Sequence, residues 1–265
     1  MAHVGLLARL IVSSVTSGAV IFMATAATAA PERGTALVVF VDFSGSVQTG
    51  QRAGFRRELE AHILPWLAPG DRAVVAAIHD KTLTAFRPFA EVVLPEKLVF
   101  SGWVNNSLLF NRQAKEREAR LRDLKEEFRA DVAGGLAHGR ASPYTDILSS
   151  LVVAEKLFAD EPRRKVLVLM SDMIEDTPAY NFEKIRWGPD TATRLLTELD
   201  AKHMVADLSG VCVYVTGASA RTAELAQHIG RFWEAYFKRA HADLDTSRYA
   251  RVLLHWPPAK SCRAQ

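Results

Sequence analysis

Short continuous apolar runs alternate along this chain with stretches in which apolar residues recur every three or four positions. That alternation is the pattern of a parallel sheet whose crossover helices cover both faces. The run Ala36 to Val41 (Ala-Leu-Val-Val-Phe-Val) has no polar member, as suits a strand buried on both faces, and it predicts the centre of the sheet. Phe55, Leu59, Ile63 and Trp66 fall at helical spacing between Gln51 and Leu67, with Pro69-Gly70 as the stop. Asp71 to His79 reads as a second strand. Thr82 to Leu94 reads as a third extended segment, interrupted by Pro88.

Asn111 to Asp131 is highly charged, yet Leu121, Leu124, Phe128 and Val132 draw one apolar stripe through and just beyond it. The stripe predicts a long helix packed on one side. Gly134-Gly135 and Gly139 are expected to loosen the chain behind it. From Asp146 onward, Ile147, Leu148, Leu151, Val152, Leu157 and Phe158 describe a buried amphipathic helix, and Lys165 to Met170 the next strand. Leu195, Leu196 and Leu199 mark a further helix, Gly210 to Val215 a further strand, and Leu225, Ile229, Phe232 and Phe237 the face of a last helix. Arg251 to Trp256 is expected as an edge strand closed by Pro257-Pro258. The elements add up to a doubly wound α/β domain: a mostly parallel, six-stranded, Rossmann-like sheet with helices on both faces.

Residues 1–30 break this pattern. They hold no acidic residue and one Arg, Arg9, followed by small and apolar residues from Leu10 to Ala30. Their end, Ala26-Ala27-Thr28-Ala29-Ala30-Pro31, offers a small-x-small cleavage pattern with Ala27 and Ala29 at the selective positions. We read 1–30 as a signal peptide. The alternative is an uncleaved N-terminal membrane anchor, because the run approaches the ~20 residues that span a bilayer. Either reading puts residues 31–265, a single domain with a helical insertion at about 103–140, outside the cytoplasm, either periplasmic or secreted. The chain of 265 residues, 49% hydrophobic, is long enough to close one core. Its 33 basic and 30 acidic residues are interspersed, which argues against a nucleic-acid surface. Membrane contact is expected only through an uncleaved leader. Cys212 lies in an apolar run and Cys262 near the end of the chain; an exported protein could join them, and a buried thiol with an exposed one is an equal alternative.

The candidate chemistry sits where the first strand ends, in Asp42-Phe43-Ser44-Gly45-Ser46. A carboxylate and two hydroxyls at i, i+2 and i+4 form an all-oxygen set suited to a hard divalent cation. Mg²⁺ takes about six oxygens at roughly 2.0–2.1 Å and keeps several waters, so few protein groups suffice. In an open parallel sheet, ligands bind beyond the carboxyl ends of the strands. Asp172 follows the strand Lys165 to Met170, and Thr145 stands just ahead of the helix between these strands, so all three elements can converge on one crevice.

This set resembles the metal-ion-dependent adhesion site of von Willebrand factor type A domains, also found in integrins: an Asp-x-Ser-x-Ser loop with a distant Thr and a distant Asp. Here Asp42, Ser44, Ser46, Thr145 and Asp172 match it, and the resemblance runs from Ala36 to about Ala240. It implies a non-enzymatic module in which Ser44, Ser46 and Thr145 ligate Mg²⁺ directly and Asp42 and Asp172 do so directly or through water. Mn²⁺ and Ca²⁺ are the alternative ions. A protein partner presenting a carboxylate would complete the coordination, because neutral hydroxyl ligands leave part of the ion's charge uncompensated. The chain departs from the family at Met173, where a Gly is common, and in Glu175 and Asp176, whose charge would either compete with the partner's or be solvated. The insertion is expected to set what is bound.

Two other readings compete. In a structural or assembly subunit the metal would only tie the loops together. A phosphatase of the Asp-x-Asp type would need a carboxylate where Ser44 stands, and a serine hydrolase would need a Gly-x-Ser-x-Gly elbow; neither appears. His79-Asp80, at the end of the second strand, faces the same rim, as a loop pair or as a lining of the crevice.

Overall fold

The computed structural model describes residues 34–47, 49–100, 107–139 and 141–259, all within one compact unit. The leader at 1–30, Trp103 and Cys262 lie outside the described residues. Strand β1 (Thr35–Asp42) pairs in parallel with β2 (Arg72–Ile78) on one side and with β4 (Arg164–Met170) on the other. β3 (Ala90–Val93) joins β2 antiparallel at one edge. β5 (Val211–Thr216) and the two-residue β6 (Tyr249–Ala250) extend the opposite side in parallel. The order β3-β2-β1-β4-β5-β6 is that of a doubly wound α/β sheet, and its winding reverses between β1 and β4.

Every residue of β1 is buried, and the alternation of a strand divides them. Ala36, Val38 and Phe40 face a layer built from α4 (Ile147–Phe158), α5 (Thr191–Ala201) and α6 (Ala223–Arg239). Leu37, Val39 and Val41 face α1 (Thr49–Glu58) and α3 (Ser107–His138). Beyond α1 the helix widens into a π turn, Leu59–Ile63, before the short α2 (Leu64–Trp66). Pro65 explains the change, because it has no N–H to give to the carbonyl four residues back.

Three sequence expectations are corrected. Gly134 and Gly135 do not loosen the chain, since α3 runs through them to His138. At Gly135 a Cβ would lie 2.1 Å from the Phe89 ring, and at Gly139 the same distance from the Phe43 ring. These two glycines let the end of the helix press on aromatic side chains. The extended segment from Thr82 narrows to Ala90–Val93, because residues 80–85 turn back through the bonds from Thr82 N to His79 O and from Ala85 N to Lys81 O. Arg251 to Trp256 is not the edge strand; the parallel pairing stops at Ala250. That run instead packs Leu253 and Trp256 on the α1 face of the core, with the Trp256 ring edge-on to Trp66 and Tyr214. Cys212 is buried in β5 and disulfide-bonded.

Candidate metal centre

Asp42 closes β1 and is fully buried. Its Oδ1 accepts from Ser44 N at 2.8 Å and its Oδ2 from Ser171 Oγ at 2.7 Å. The first bond turns the loop back on itself, as an Asx side chain does, and the second ties the ends of β1 and β4 together. Ser44 Oγ lies 2.9 Å from Ser46 Oγ, and Ser46 is exposed at the rim. Arg52, one turn into α1, donates from Nη2 to Phe43 O at 3.0 Å and Ser44 O at 2.6 Å, fixing the loop from below.

Thr145 reaches this loop through backbone pairing. Ser142 bridges Ser44 in parallel, with its N–H donating to Phe43 O at 3.2 Å. Thr145 and Asp176 exchange two backbone bonds of 2.9 Å each. Residues 142–145 are therefore stitched to the β1 loop on one side and to the segment after β4 on the other. Thr145 is 1% exposed, and its Oγ1 is a buried atom without a hydrogen-bond partner. A buried hydroxyl left in that state is costly.

Asp172 lies two residues beyond β4 and accepts from Ile174 N at 2.9 Å through Oδ1. Burial, and then the nearby Asp42 charge, raise its pKa to about 7, with the Ser46 hydroxyl among the groups opposing the shift. Burial likewise raises Asp42, against bonds from Ser44 and Ser171. Two buried carboxylates thus face each other with hydroxyls around them. Among the described residues no group of three His, Cys, Asp or Glu side chains could hold a metal, so any ion here would rest on mixed carboxylate and hydroxyl donors. The unpartnered Thr145 Oγ1 and the two acids whose charge is disfavoured by burial fit a hard divalent cation of the Mg²⁺ class, since its charge would stabilise both carboxylates and its shell would accept the hydroxyl oxygen.

Met173, standing where the resembled family commonly has Gly, adopts φ 66°. It is fully buried, and Trp233 Nε1 donates to its carbonyl at 2.8 Å. A left-handed backbone costs a side-chain-bearing residue about 1–2 kcal/mol, which this bond and the burial of the thioether oppose. Glu175 is not a solvated competitor for a partner: it is 1% exposed, and its Oε2 accepts from Ile147 N and Leu148 N at the start of α4. Burial and then the Asp146 charge hold its pKa well above the usual value. Asp176 is tied to Asn181 Nδ2 at 2.5 Å. Ser171, Arg52 and Glu175 shape the centre and were not singled out from sequence as parts of it; their partners are 8 to 129 positions away in the chain. His79-Asp80 lies near the same rim, where Asp80 N donates to Ser142 Oγ at 3.1 Å.

No helix among the described residues is long and apolar enough to cross a membrane. No protein-family model matches the sequence, and no curated protein matches it. Among solved structures the chain is similar to the pilus adhesin SpaC from Lactobacillus rhamnosus GG in its open conformation, with a TM-score of 0.44 and 13% identity over 83% of this chain and 28% of that one. It is also similar to a von Willebrand factor type A protein from Catenulispora acidiphila, with a TM-score of 0.36 and 14% identity over 80% of this chain and 44% of that one. A third is manganese-loaded Plasmodium vivax TRAP protein, with a TM-score of 0.32 and 12% identity over 75% and 63%. The chain spans less than two thirds of each. The sheet described above is the doubly wound α/β fold that the resemblance to von Willebrand factor type A domains implies.

Proposed function

We propose that this chain is an extracytoplasmic von Willebrand factor type A module that binds a divalent cation and, through it, a carboxylate of a protein partner. Asp42, Ser44, Ser46, Thr145 and Asp172 would hold the ion. The observation that carries this reading is the buried pair Asp42 and Asp172 beside the unpartnered hydroxyl of Thr145. Asp42 is offset by its bonds from Ser44 and Ser171 and by the Arg52 charge, whereas Asp172 has only the Ile174 N–H and the Ser46 hydroxyl against burial and the charge of Asp42. When bound, the cation supplies a concentrated positive charge at the rim, to which an incoming carboxylate is drawn.

The chain's own residues do the remaining work. Ser171 and the Ser44 N–H hold Asp42 in one orientation, Arg52 fixes the loop that carries both serines, and the Thr145–Asp176 pairing sets the depth of Thr145. Ser46 is exposed and lines an open groove. That openness favours a binding module over a subunit whose metal only ties loops together, and the reading includes no catalytic step. Calorimetric titration of Mg²⁺, Mn²⁺ and Ca²⁺ into metal-stripped protein tests it: saturable one-site binding is expected, and heat no greater than that of dilution would sink it.

A further inference from the structure

A groove of about 1350 Å³ opens at Ser46 and Asp172 and runs along α1 past Gly50, Gly54 and Arg57, with Arg251 also lining it. Resting on the ion-site reading above, we propose that this groove takes an extended segment of the partner protein bearing two acidic side chains about three residues apart. The first acid meets the ion site and the second meets Arg57 and Arg251.

The charges lining the groove lead to this partner chemistry. Glu183 is already paired with Arg221 at 2.6 Å. Glu58 has both oxygens engaged, Oε2 by Thr216 Oγ1 at 2.7 Å and Oε1 by Leu253 N at 2.8 Å. Arg57 and Arg251 are exposed and have no ion-pair partner among the described residues. With Asp172 committed to the ion, the groove offers positive charge at the ion and at the two arginines, while the Glu58 carboxylate, held by neutral donors, keeps its negative charge. A segment of matching charge is negative at two points, and such complementarity selects partners more than it adds affinity.

The helix sets the spacing. Gly50 and Arg57 lie on one stripe of α1, seven residues apart, which is ~10 Å of helix at ~1.5 Å per residue. An extended chain covers that in about three residues at ~3.3 Å each. Between Gly50 and Arg57, Gly54 leaves bare backbone on this stripe, flanked by Gln51 and Phe55. A Cβ at Gly50 would meet nothing within 4 Å, and one at Gly54 only the end of Arg57 at 3.9 Å. Glycine weakens a helix, and no packed neighbour requires it at these two positions, whereas a bare helix face lets another backbone approach closely.

The test pans a phage-displayed library of random dodecapeptides on the full chain in Mg²⁺ and elutes with EDTA, while calorimetry follows Mg²⁺ uptake separately. Enriched peptides are expected to carry an acidic pair with two residues between. Their synthetic forms should bind roughly five- to twentyfold more weakly to the double variant Arg57→Ala, Arg251→Ala, the size of two partly exposed ion pairs. Mg²⁺ affinity and melting temperature should stay as in the parent, because both side chains are exposed. Enriched peptides with one acid, an affinity that the double variant leaves unchanged, or no EDTA-eluted peptide despite Mg²⁺ uptake would overturn the groove assignment and leave the ion site standing. Absence of Mg²⁺ uptake would overturn the ion site and the groove assignment together.

Discussion

Two buried aspartates, at opposite ends of the same sheet, carry opposite implications. Asp71 precedes β2 at the amino ends of the strands and is 3% exposed; Asp42 closes β1 at the carboxyl ends and is fully buried. Asp71 Oδ1 accepts from Thr35 N and its Oδ2 from Ala68 N, both at 2.7 Å. Burial raises its pKa, but every other influence on it is favourable to the charge: the two N–H groups, then Lys125 and Arg163. At the other end Asp42 itself adds to the burial that raises Asp172, and Glu183 adds again. Asp42 has its own offsets in Ser44, Ser171 and Arg52, but Asp172 beside it is pushed up by neighbouring carboxylates as well as by burial, so the same residue type is a completed structural tie at one end of the sheet and half of a crowded pair of acids at the other. Burial alone does not mark a binding site; burial without compensation does.

Replacing each aspartate should break this contrast in a different way. The largest loss of stability is expected from Asp71→Ala, about 3 kcal/mol, because it strands two backbone donors that held β1 and the end of α2 together. Urea unfolding would measure it, and Mg²⁺ affinity of the folded variant should be unchanged. Asp42→Ala should act mainly on binding, lowering Mg²⁺ affinity on the order of 100-fold or more in calorimetry, with a smaller loss of stability in the metal-free protein because the Ser44 N–H and the Ser171 hydroxyl lose their acceptor while the crowding with Asp172 is relieved. A large loss of stability without loss of metal affinity would make Asp42 a second Asp71 and remove it from the site. Ser171→Ala takes away only the hydroxyl that orients Asp42, so a drop of roughly tenfold in Mg²⁺ affinity is expected.

The smallest effect is in pH dependence and sharpens the contrast through Asp172. Its folded pKa is raised from 3.8 to about 7, so the folded state takes up the proton more readily than the unfolded chain. The stability it contributes is full below the unfolded pKa and is lost as pH rises through about 7. Metal-free protein should therefore melt at lower temperature at pH 8 than at pH 5, and saturating Mg²⁺ should reduce the fall by holding the carboxylate charged. A melting temperature that rises over this interval in metal-free Asp71-intact protein would show that Asp172 is compensated by groups other than a cation.

The difference between the two ends also explains how the insertion acts. Leu121 and Leu124 are half-buried, and Phe128 and Val132 bury against the α1 face of the core. Lys125 Nζ donates to Leu67 O near Asp71. Gly139, just past the end of α3, lies against Phe43 behind the Asp42 loop. The expectation that the insertion sets what is bound therefore becomes narrower: its described contact with the candidate site runs through the back of the loop, while the groove at Ser46 is lined by α1 and by the segments that follow β4, β5 and β6.

Strand positions, the helical stripes and the oxygen-rich loop were legible because they are local. An unbroken apolar run such as Ala36 to Val41 can be satisfied only by burial on both faces, and Asp42, Ser44 and Ser46 are neighbours whatever the fold. The sequence alone therefore determined the doubly wound sheet and where its candidate chemistry begins. It could not determine that Arg251 to Trp256 leaves the sheet, because an apolar run fits an edge strand and a packed irregular segment equally, and the choice fell to Trp66 and Tyr214. Nor could it tell that Glu175 is a buried cap of α4 rather than a solvated charge, or that the Thr145 hydroxyl is buried without a hydrogen-bond partner. The tertiary structure alone decided these, since desolvation and pairing of a side chain depend on residues far along the chain that the fold brings within hydrogen-bonding reach.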